Sequence, residues 1–557
     1  MKAPWMNSYG DVPFHLDYIK TTMSGALLDT AGRDADFTAL YFMGRSISFR
    51  ELAVEVEKTA KAFWNMGIRP GVRVMVCMPN VPQAIYCLYG LNRIGAVATM
   101  VHPLSAVGEI SYYMDDVDCD YALTLDQFYD KFVEVNEKHP VKKLVIARIS
   151  DALPCIKSLA YRFMTERKFT KVKVSDNVLM WNDFIKGGES VTGNYVADKD
   201  PYTEAVVLFS GGTTGINKGI MLSDYNFNAL AQQTAAMSHE TIRHSRMLAA
   251  MPVFHGFGLG VCIHTMMVAG GTSILVPRFN AKSYADLIKK HRPNFIAGVP
   301  TLFEAITRCP NLDGVDLSCL KGVFSGGDSL TVDLKKKFDA FLASHNAGVR
   351  VREGYGTTEC VTASCLTPYN KEKEGSIGLP YPDTYFQICA VGTCDEVPYG
   401  SEGEICICGP TVMLGYINHE AENASTLKVH ADGNVWLHTG DLGLMDEEGF
   451  VYFRQRIKRM IITNGYNVYP SQLENVFDSH PAVQRSCVIG VADPMKMQRV
   501  KAFIVLEPGY EPGEEMKQEL LDYCSKHVAK YAMPKELEFR DSLPTTLVGK
   551  VAYTKLS

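Results

Sequence analysis

The stretch VVLFSGGTTGINKGIML, residues 206–222, decides how the rest of the chain is interpreted. Its apolar run predicts a buried strand, and glycines, hydroxyl residues and the single Lys218 follow it. Backbone N–H groups of a glycine-rich turn, together with hydroxyls and a lysine, suit a phosphate chain. The spacing is not that of a Walker loop, because two residues separate Gly215 from the lysine. A flexible surface loop after a strand is the alternative.

Length and charge narrow the class of protein. The 557 residues predict about two to four units, since domains average about 100–200 residues. Hydrophobic residues make up 46% and charged residues 21%, which is typical of a globular protein. The net charge of -6, from 56 basic and 62 acidic residues, argues against a nucleic-acid binder that relies on bulk positive charge.

The 15 cysteines are scattered through apolar runs such as VMVCMPN and GEICICG. No CxxC pair occurs, so the spacing indicates neither a zinc framework nor a thioredoxin-like motif. Cys406 and Cys408 alternate within a predicted strand and therefore share one face. We expect reduced thiols in a cytoplasmic protein.

The N-terminal stretch MKAPWMNSYGDVPFHLDY contains no apolar signal core. The most apolar long stretch, GLGVCIHTMMVAGGTSILV at 258–276, is interrupted by His264, a glycine pair and hydroxyl residues. It predicts a buried helix followed by a buried strand, and no transmembrane segment. Contact with a membrane surface and the oligomeric state stay open.

Alternating helix and strand patterns in the first half predict an α/β fold with a largely parallel sheet. From about residue 376, short strands with Gly, Pro and Asp turns predict a β-rich subdomain, including a hairpin that turns at Glu448-Gly449. After RQRIKRM, residues 454–460, a mixed α/β pattern returns. We expect a large domain at 1–457, with the β-rich subdomain at about 376–457, and a small α+β domain at 458–557.

Four further stretches can carry chemistry, and each has a plainer interpretation. In REGYGTTEC, residues 352–360, the Tyr355 ring can lie against a planar ligand and Glu359 can offer oxygen to Mg²⁺, or the stretch is a turn with a solvated carboxylate. In HTGDLG, residues 438–443, Asp441 can accept from ribose hydroxyls or simply form an Asx turn. Arg456 can bind phosphate or lie in a solvated linker, and a lone C-terminal lysine such as Lys550 is usually solvated.

The ordered set of motifs resembles the adenylate-forming acyl-CoA synthetases, a superfamily that includes luciferases and stand-alone adenylation domains. The resemblance covers essentially the whole chain, and DGNVWLHTGDLG looks most like fatty-acyl-CoA ligases. The motifs that carry it are FSGGTTGINKG, PVFHGFG, GVPT, SGGDSL, GYGTTE, GPTVMLGY, WLHTGDLG, RQRIKRMIITNGYNVYPSQLE and LPTTLVGK.

The resemblance implies an ATP-dependent ligase with ATP, Mg²⁺ and coenzyme A as cofactors. A carboxylic acid, expected to be a medium- or long-chain fatty acid, attacks the α-phosphorus of ATP to give acyl-AMP and pyrophosphate. The thiol of coenzyme A then displaces AMP. Such transfers depend on positioning and charge neutralisation.

The resemblance also assigns roles to individual residues. Glu359 would hold Mg²⁺, Thr358 a phosphate oxygen, and Lys550 would bridge the acid and the α-phosphate, while His255 gates the acyl pocket. Tyr355 would stack on adenine and Asp441 would bind ribose. The whole nucleotide set is Ser210, Gly211, Gly212, Thr213, Thr214, Gly215, Lys218, Gly327, Tyr355, Gly356, Thr357, Asp441 and Arg456.

The resemblance implies that the small domain rotates about Lys458 between the two steps. NGYNVYP, with Gly465 and Tyr466, would then face the active site and admit the coenzyme A arm. Candidates to line the acyl pocket are Phe257, Gly258, Val299, Ser325, Gly354 and Cys360.

The chain departs from the family pattern at Asn217, where Pro or Ala is usual, and at Ile462, where Lys is common. Because of these departures, a separate acyl carrier protein remains an alternative to coenzyme A as the acceptor of the acyl group. A non-catalytic nucleotide-binding protein is the other alternative, and Lys550, Glu359 and Asp441 argue against it. A luciferase-like oxygenase has no feature in its favour.

Overall fold

The computed structural model describes residues 3–209, 217–463, 466–493, 497–546 and 551–556. Within these ranges the α-helices, α1 to α15 in chain order, are Met23–Arg33, Phe49–Asn65, Pro82–Arg93, Val107–Asp116, Tyr129–Lys138, Cys155–Met164, Trp181–Gly188, Asp224–Ser238, Thr265–Ala269, Ala281–His291, Pro300–Thr307, Val332–Ser344, Glu420–Thr426, Pro470–Asp478 and Glu514–Ser525.

The strands of the same ranges, β1 to β27 in chain order, are Thr38–Phe42, Arg45–Ser48, Arg73–Cys77, Val97–Met100, Tyr121–Leu125, Lys143–Ala147, Val178–Met180, Glu204–Phe209, Gly219–Ser223, Arg246–Ala249, Thr272–Leu275, Phe295–Gly298, Gly322–Ser325, Val351–Tyr355, Cys365–Leu366, Leu379–Pro380, Tyr385–Cys389, Gly403–Cys408, Gly415–Tyr416, Leu427–Val429, Val435–Met445, Val451–Arg456, Ile461–Thr463, Tyr466–Val468, Val483–Asp493, Met497–Leu506 and Glu536–Phe539.

Two large sheets form the first part of the chain. One has the strand order β19-β9-β8-β4-β3-β5-β6-β7, and its pairs from β8 to β7 are parallel. The other has the order β16-β15-β14-β13-β12-β10-β11-β1-β2, with parallel pairs from β14 to β1. Helices cover these sheets because both faces of a parallel sheet are apolar and must be buried. The predicted α/β fold with largely parallel sheets is confirmed.

Helix α2 shows how the sequence specifies the local structure. Ser48 and Glu51 form a capping box that satisfies the free N–H groups at the start of the helix. Leu52, Val56 and Phe63 recur at helical spacing, and all three are buried. This helix and β3, which follows it, belong to the alternating helix and strand pattern predicted for the first half.

The apolar stretch 258–276 forms a buried π-helix at Phe257–His264, then α9 and the buried strand β11. This is the predicted buried helix and strand. Among the described helices, none combines the length and the apolar character needed to cross a bilayer.

The β-rich part forms a third sheet with the order β17-β18-β21-β20, and β22 pairs with β21. The predicted hairpin is β21 and β22, which run antiparallel on either side of Glu448. A fourth sheet, β24-β23-β26-β25 with β27 beside β26, belongs to the C-terminal part and packs against α14, which in turn contacts α15. Leu473, Phe477 and Leu520 lie in its separate hydrophobic core. The C-terminal part is therefore a separate α+β domain, as predicted.

Candidate active site

The strongest cluster of predicted site residues joins the second and third sheets. Asp441 on β21 lies directly opposite Arg456 at the end of β22, and Arg456 Nε is 2.8 Å from Asp441 Oδ1. Tyr355, at the carboxyl end of β14, donates its hydroxyl hydrogen bond to Asp441 Oδ2 at 2.6 Å. Register and strand order thus bring together three residues that lie far apart in the sequence.

Burial and neighbouring charges fix the protonation states of Tyr355 and Arg456 in this cluster. Burial raises the pKa of the Tyr355 phenol, and the Asp441 carboxylate raises it further, so the hydroxyl stays a donor at neutral pH. Desolvation disfavours the charge on Arg456, but the Asp441 and Glu359 carboxylates outweigh it and raise the guanidinium pKa. The Asp441 side chain is almost fully buried, while that of Arg456 is half exposed. The cluster therefore presents a fixed carboxylate and a permanent cation.

Glu359 belongs to a second group of contacts. It lies in the short turn Thr358–Cys360, directly after β14, and its Oε1 accepts from the Tyr416 hydroxyl at 2.9 Å. Lys218 Nζ lies 5.2 Å from the centre of the Tyr416 ring and 3.6 Å from Glu422. Tyr416 itself is on β19, which pairs with β9 of the first large sheet. Tyr416 therefore bridges the two large sheets between the predicted metal ligand and the predicted phosphate lysine.

Tyr416 was not among the predicted site residues, although it ends the motif GPTVMLGY. Its position depends on the pairing of two-residue β19 with β9, which no periodicity in the sequence reveals. Burial and the neighbouring Glu359 raise the pKa of its phenol, so the hydroxyl is the donor in this bond.

Several predicted residues lie outside the described ranges. They are Ser210, Gly211, Gly212, Thr213, Thr214 and Gly215 of the glycine-rich loop, Gly465, and Lys550. The strands that flank the loop are described, and Phe209 at the end of β8 pairs directly with Gly219 at the start of β9. The chain therefore returns to the same sheet edge after the loop.

Glycine is required at two of the predicted nucleotide positions. A Cβ on Gly356 would lie 2.3 Å from the Thr362 carbonyl oxygen, and Gly327 has a φ of 83°, which side chains rarely adopt. Thr357 is buried, and its N–H donates to Cys360 Sγ at 3.3 Å. Thr358 is half-buried in the same turn as Glu359.

A small apolar cavity lies behind the site. Its volume is about 30 Å³, which is roughly the share of one water molecule in the liquid. Three of the predicted acyl-pocket residues line it, namely Phe257, Ser325 and Gly354. The prediction did not include the other lining residues, among them Thr234, Val261, Phe324, Leu366 and Tyr381.

The remaining three candidates for the acyl pocket do not line this cavity. Gly258 packs on backbone, since a Cβ there would lie 2.0 Å from the Pro252 carbonyl oxygen. The Cys360 thiol accepts from Ser364 Oγ at 2.9 Å, and Val299 is the buried residue before α11. His255 is half-buried, and its Nδ1 accepts from the Phe257 N–H at 3.2 Å, which places it next to the lining.

The predicted hinge lies at the junction of the two domains. Lys458 is exposed in the short turn Ile457–Arg459 that leads from β22 to β23, and Tyr466 begins β24. A cleft of about 810 Å³ separates the domains there, with Glu304 on one side and Arg459 on the other. Gln484 Nε2 donates to Glu304 Oε1 across it at 3.1 Å.

The described geometry can be compared with known proteins. The AMP-binding enzyme family model matches residues 27–417, and the AMP-binding enzyme C-terminal domain matches residues 472–550. A long-chain-fatty-acid–CoA ligase from Bacillus subtilis is 33% identical over 565 aligned residues, covering 100% of this chain and 98% of the relative. One from Escherichia coli O6:H1 is 30% identical over 573 residues, with 100% and 98% covered.

The ATP-bound MatB from Rhodopseudomonas palustris shares the fold, with a TM-score of 0.82 at 25% identity over 97% of this chain and 98% of that one. These findings confirm the predicted resemblance to adenylate-forming enzymes. The chain belongs to the AMP-binding enzyme family.

Proposed function

We propose that this protein is an AMP-forming acid–thiol ligase that activates a long-chain fatty acid with ATP and transfers the acyl group to coenzyme A. The observation that carries the proposal is the full-length likeness to two ligases named for this reaction, at 33% and 30% identity. The contacts of Tyr355, Asp441 and Arg456 support it, because they fix a buried carboxylate beside an aromatic ring and a cation.

In this proposal the cluster binds the nucleoside end of ATP. The Asp441 carboxylate accepts from the two ribose hydroxyls, since an ionised acceptor makes stronger hydrogen bonds than a neutral one. Arg456 pairs with Asp441 and supports the sugar. The Tyr355 ring provides a face for adenine, while its hydroxyl holds Asp441 in place.

Glu359 and Thr358 fit a Mg²⁺ ion, because both offer oxygen and a hard cation prefers oxygen ligands. When bound, Mg²⁺ would neutralise charge on the ATP phosphates. The chain's own contribution is to hold the Glu359 carboxylate through Tyr416 and to place Lys218 nearby. We assign Thr213, Thr214 and the rest of the loop 210–215 to the phosphates on the family likeness.

We assign Lys550 to the bridge between the fatty acid and the α-phosphate. The large domain would comprise residues 1–457, with the β-rich subdomain at about 376–457, and the small domain residues 458–557. Rotation of the small domain about Lys458 would then move Lys550 away from the active site. Gly465 and Tyr466 would face the active site in its place and admit coenzyme A. The 810 Å³ cleft supports this proposal, since it leaves space between the domains.

The acyl chain would enter past His255 and displace Phe257. The 30 Å³ cavity is too small for an alkyl chain, so a side chain of its lining must move when the substrate binds. We also place the protein in the cytoplasm, because all 15 cysteines are free thiols and thiols stay reduced there.

The test is a panel of carboxylic acids from short to long, followed by pyrophosphate release and by acyl-CoA formation. We expect ATP- and Mg²⁺-dependent release with long-chain acids, and acyl-CoA when coenzyme A is added. Lys550→Ala should abolish carboxylate-dependent exchange of pyrophosphate into ATP. Adenylation without acyl-CoA, but with acyl transfer to a carrier protein, would reassign the acceptor. If no acid supports exchange of pyrophosphate into ATP, the protein would be a nucleotide-binding protein without ligase activity.

A further inference from the structure

The outer face of the third sheet carries a cluster of cysteine and histidine side chains that the proposed reaction does not use. Cys389 ends β17, Cys406 lies on β18 and His438 on β21, and these three strands are neighbours. His430 and Cys394 come from the turns that flank the sheet. These five residues, here called the thiol–imidazole cluster, are gathered by strand pairing and not by a short sequence motif.

The two imidazoles of this cluster point at each other. His430 Nε2 and His438 Nε2 are 3.0 Å apart. The other ring nitrogen of each faces an oxygen, with His430 Nδ1 2.7 Å from Gln387 Oε1 and His438 Nδ1 2.9 Å from Glu404 Oε2. Because those oxygens accept, each Nδ1 carries a proton, and the two Nε2 atoms face the same space.

Two ring nitrogens this close need a positive charge between them, either a shared proton or a metal ion. Two imidazole nitrogens on one tetrahedral Zn²⁺ ion lie about 3.3 Å apart, close to the separation seen here. A histidine that binds a metal through Nε2 usually donates its Nδ1 proton to a carboxylate or carbonyl oxygen. Glu404 and Gln387 provide that arrangement.

Thiols complete the set of donors. Cys394 Sγ lies 4.0 Å from His438 Nε2, and Cys394, His430 and His438 have their ligand atoms within 4.8 Å of one another. Cys389, Cys406 and His430 meet the same limit, but Cys406 Sγ lies 3.5 Å from His438 Nδ1, on the other side of that ring. A sulfur and a nitrogen on one Zn²⁺ ion lie about 3.6 Å apart, so small side-chain rotations suffice.

We propose that the thiol–imidazole cluster is a zinc site. His430 Nε2, His438 Nε2 and Cys394 Sγ supply three ligands. Mixed thiolate and imidazole donors favour zinc over Mg²⁺ or Ca²⁺, which take oxygen ligands. His430 and His438 are buried, and the Trp436 ring stacks on His430 at 5.1 Å, while Cys394 lies at the solvent edge of the site.

The site is connected to the nucleotide cluster through a few bonds. His438 precedes Asp441 by three residues, and Glu404, which holds the His438 ring, also accepts from the Gly440 N–H at 2.9 Å. Thr439 Oγ1 donates to the Ile405 carbonyl at 2.7 Å. A metal at His438 would therefore fix the segment that presents Asp441, and its loss would loosen that segment.

The direct test is the zinc content of the full-length protein after exhaustive desalting, measured by mass spectrometry of the metal. We expect about one Zn²⁺ per chain in the wild type and at most about a tenth in His430→Gln and Cys394→Ser. Cys319→Ser is the matched control, because Cys319 is a half-buried thiol like Cys394 but lies outside the cluster. Replacing zinc by Co²⁺ should give the absorption bands of a tetrahedral cobalt thiolate.

Removal of zinc by a chelator tests the proposal on the wild-type protein, and so does not depend on whether the variants fold. Removing zinc from the wild type should lower its melting temperature, and Zn²⁺ but not Mg²⁺ should restore it. Two results would overturn the proposal. One is wild-type protein that contains no zinc and whose melting temperature does not respond to added Zn²⁺, which is expected if the two Nε2 atoms share a proton. The other is a zinc content that stays at the wild-type level in both His430→Gln and Cys394→Ser.

Discussion

Replacing Tyr416 by phenylalanine tests whether Glu359 is the magnesium ligand. Tyr416→Phe removes the hydroxyl that bonds Glu359 Oε1 at 2.9 Å and keeps the ring that lies under Lys218. A hydrogen-bonding partner that orients a metal ligand is worth about 10- to 100-fold in metal affinity. That range corresponds to about 1.4–2.7 kcal/mol, which agrees with the loss of one hydrogen bond to a charged group.

The assay is carboxylate-dependent exchange of pyrophosphate into ATP, titrated with Mg²⁺ at fixed ATP. We expect the Mg²⁺ concentration for half-maximal exchange to rise by about 10-fold or more. Tyr452→Phe is the matched control, since that hydroxyl lies 3.3 Å from the Asp446 carboxylate in the same subdomain and should leave the Mg²⁺ dependence unchanged. An unchanged Mg²⁺ dependence in Tyr416→Phe would refute the role given to Glu359.

Three further changes probe the nucleotide cluster, the protonation of a buried carboxyl and the acyl cavity. Asp441→Asn should raise the KM for ATP by roughly 10- to 150-fold, while Asp446→Asn leaves it unchanged; equal KM values would exclude ribose binding by Asp441. Burial raises the pKa of Glu353 from 4.5 to about 8, so the folded state binds a proton that the unfolded state releases, and stability falls as pH rises between these values. In Glu353→Gln, the fall in the free energy of unfolding between these pH values, measured with urea, should be about 2 kcal/mol smaller than in the wild type. The same dependence of the unfolding free energy on pH in both proteins would contradict this assignment. Phe257→Ala should shift the preference toward longer acids by about fourfold in kcat/KM for each added buried methylene, and an unchanged preference would show that Phe257 does not limit the cavity.

The sequence was sufficient for the elements whose local pattern agrees with their tertiary role. The helix after Ser48 has its cap, its periodicity and its buried face within one stretch, so it could be predicted without the fold. Asp441 and Arg456 were likewise recognisable from their motifs. Their direct pairing across β21 and β22 became visible only in the structure, because strand register is set by distant contacts.

The parts that could not be predicted depend on backbone paths. Gly258 and Cys360 were reasonable candidates for the acyl pocket, yet they pack against the backbone and Ser364 instead of facing the cavity. The absence of CxxC spacing likewise gave no indication of a zinc framework, although Cys406 lies opposite His438 in the sheet. Ligands that come from paired strands leave no fixed spacing in the sequence.

The contacts at the base of the glycine-rich loop explain why Asn217 can stand where the family usually has Pro or Ala. Asn217 Nδ2 donates to the Tyr113 hydroxyl at 2.6 Å, and the Tyr113 ring stacks on Phe209 with centres 4.1 Å apart. The residues on either side of the loop, Phe209 and Asn217, therefore both contact the Tyr113 side chain of α4. Proline would restrict the backbone through its ring, whereas asparagine restrains the same position by a hydrogen bond to a neighbouring helix. The departure changes how the base of the loop is anchored and leaves Lys218 beside Tyr416.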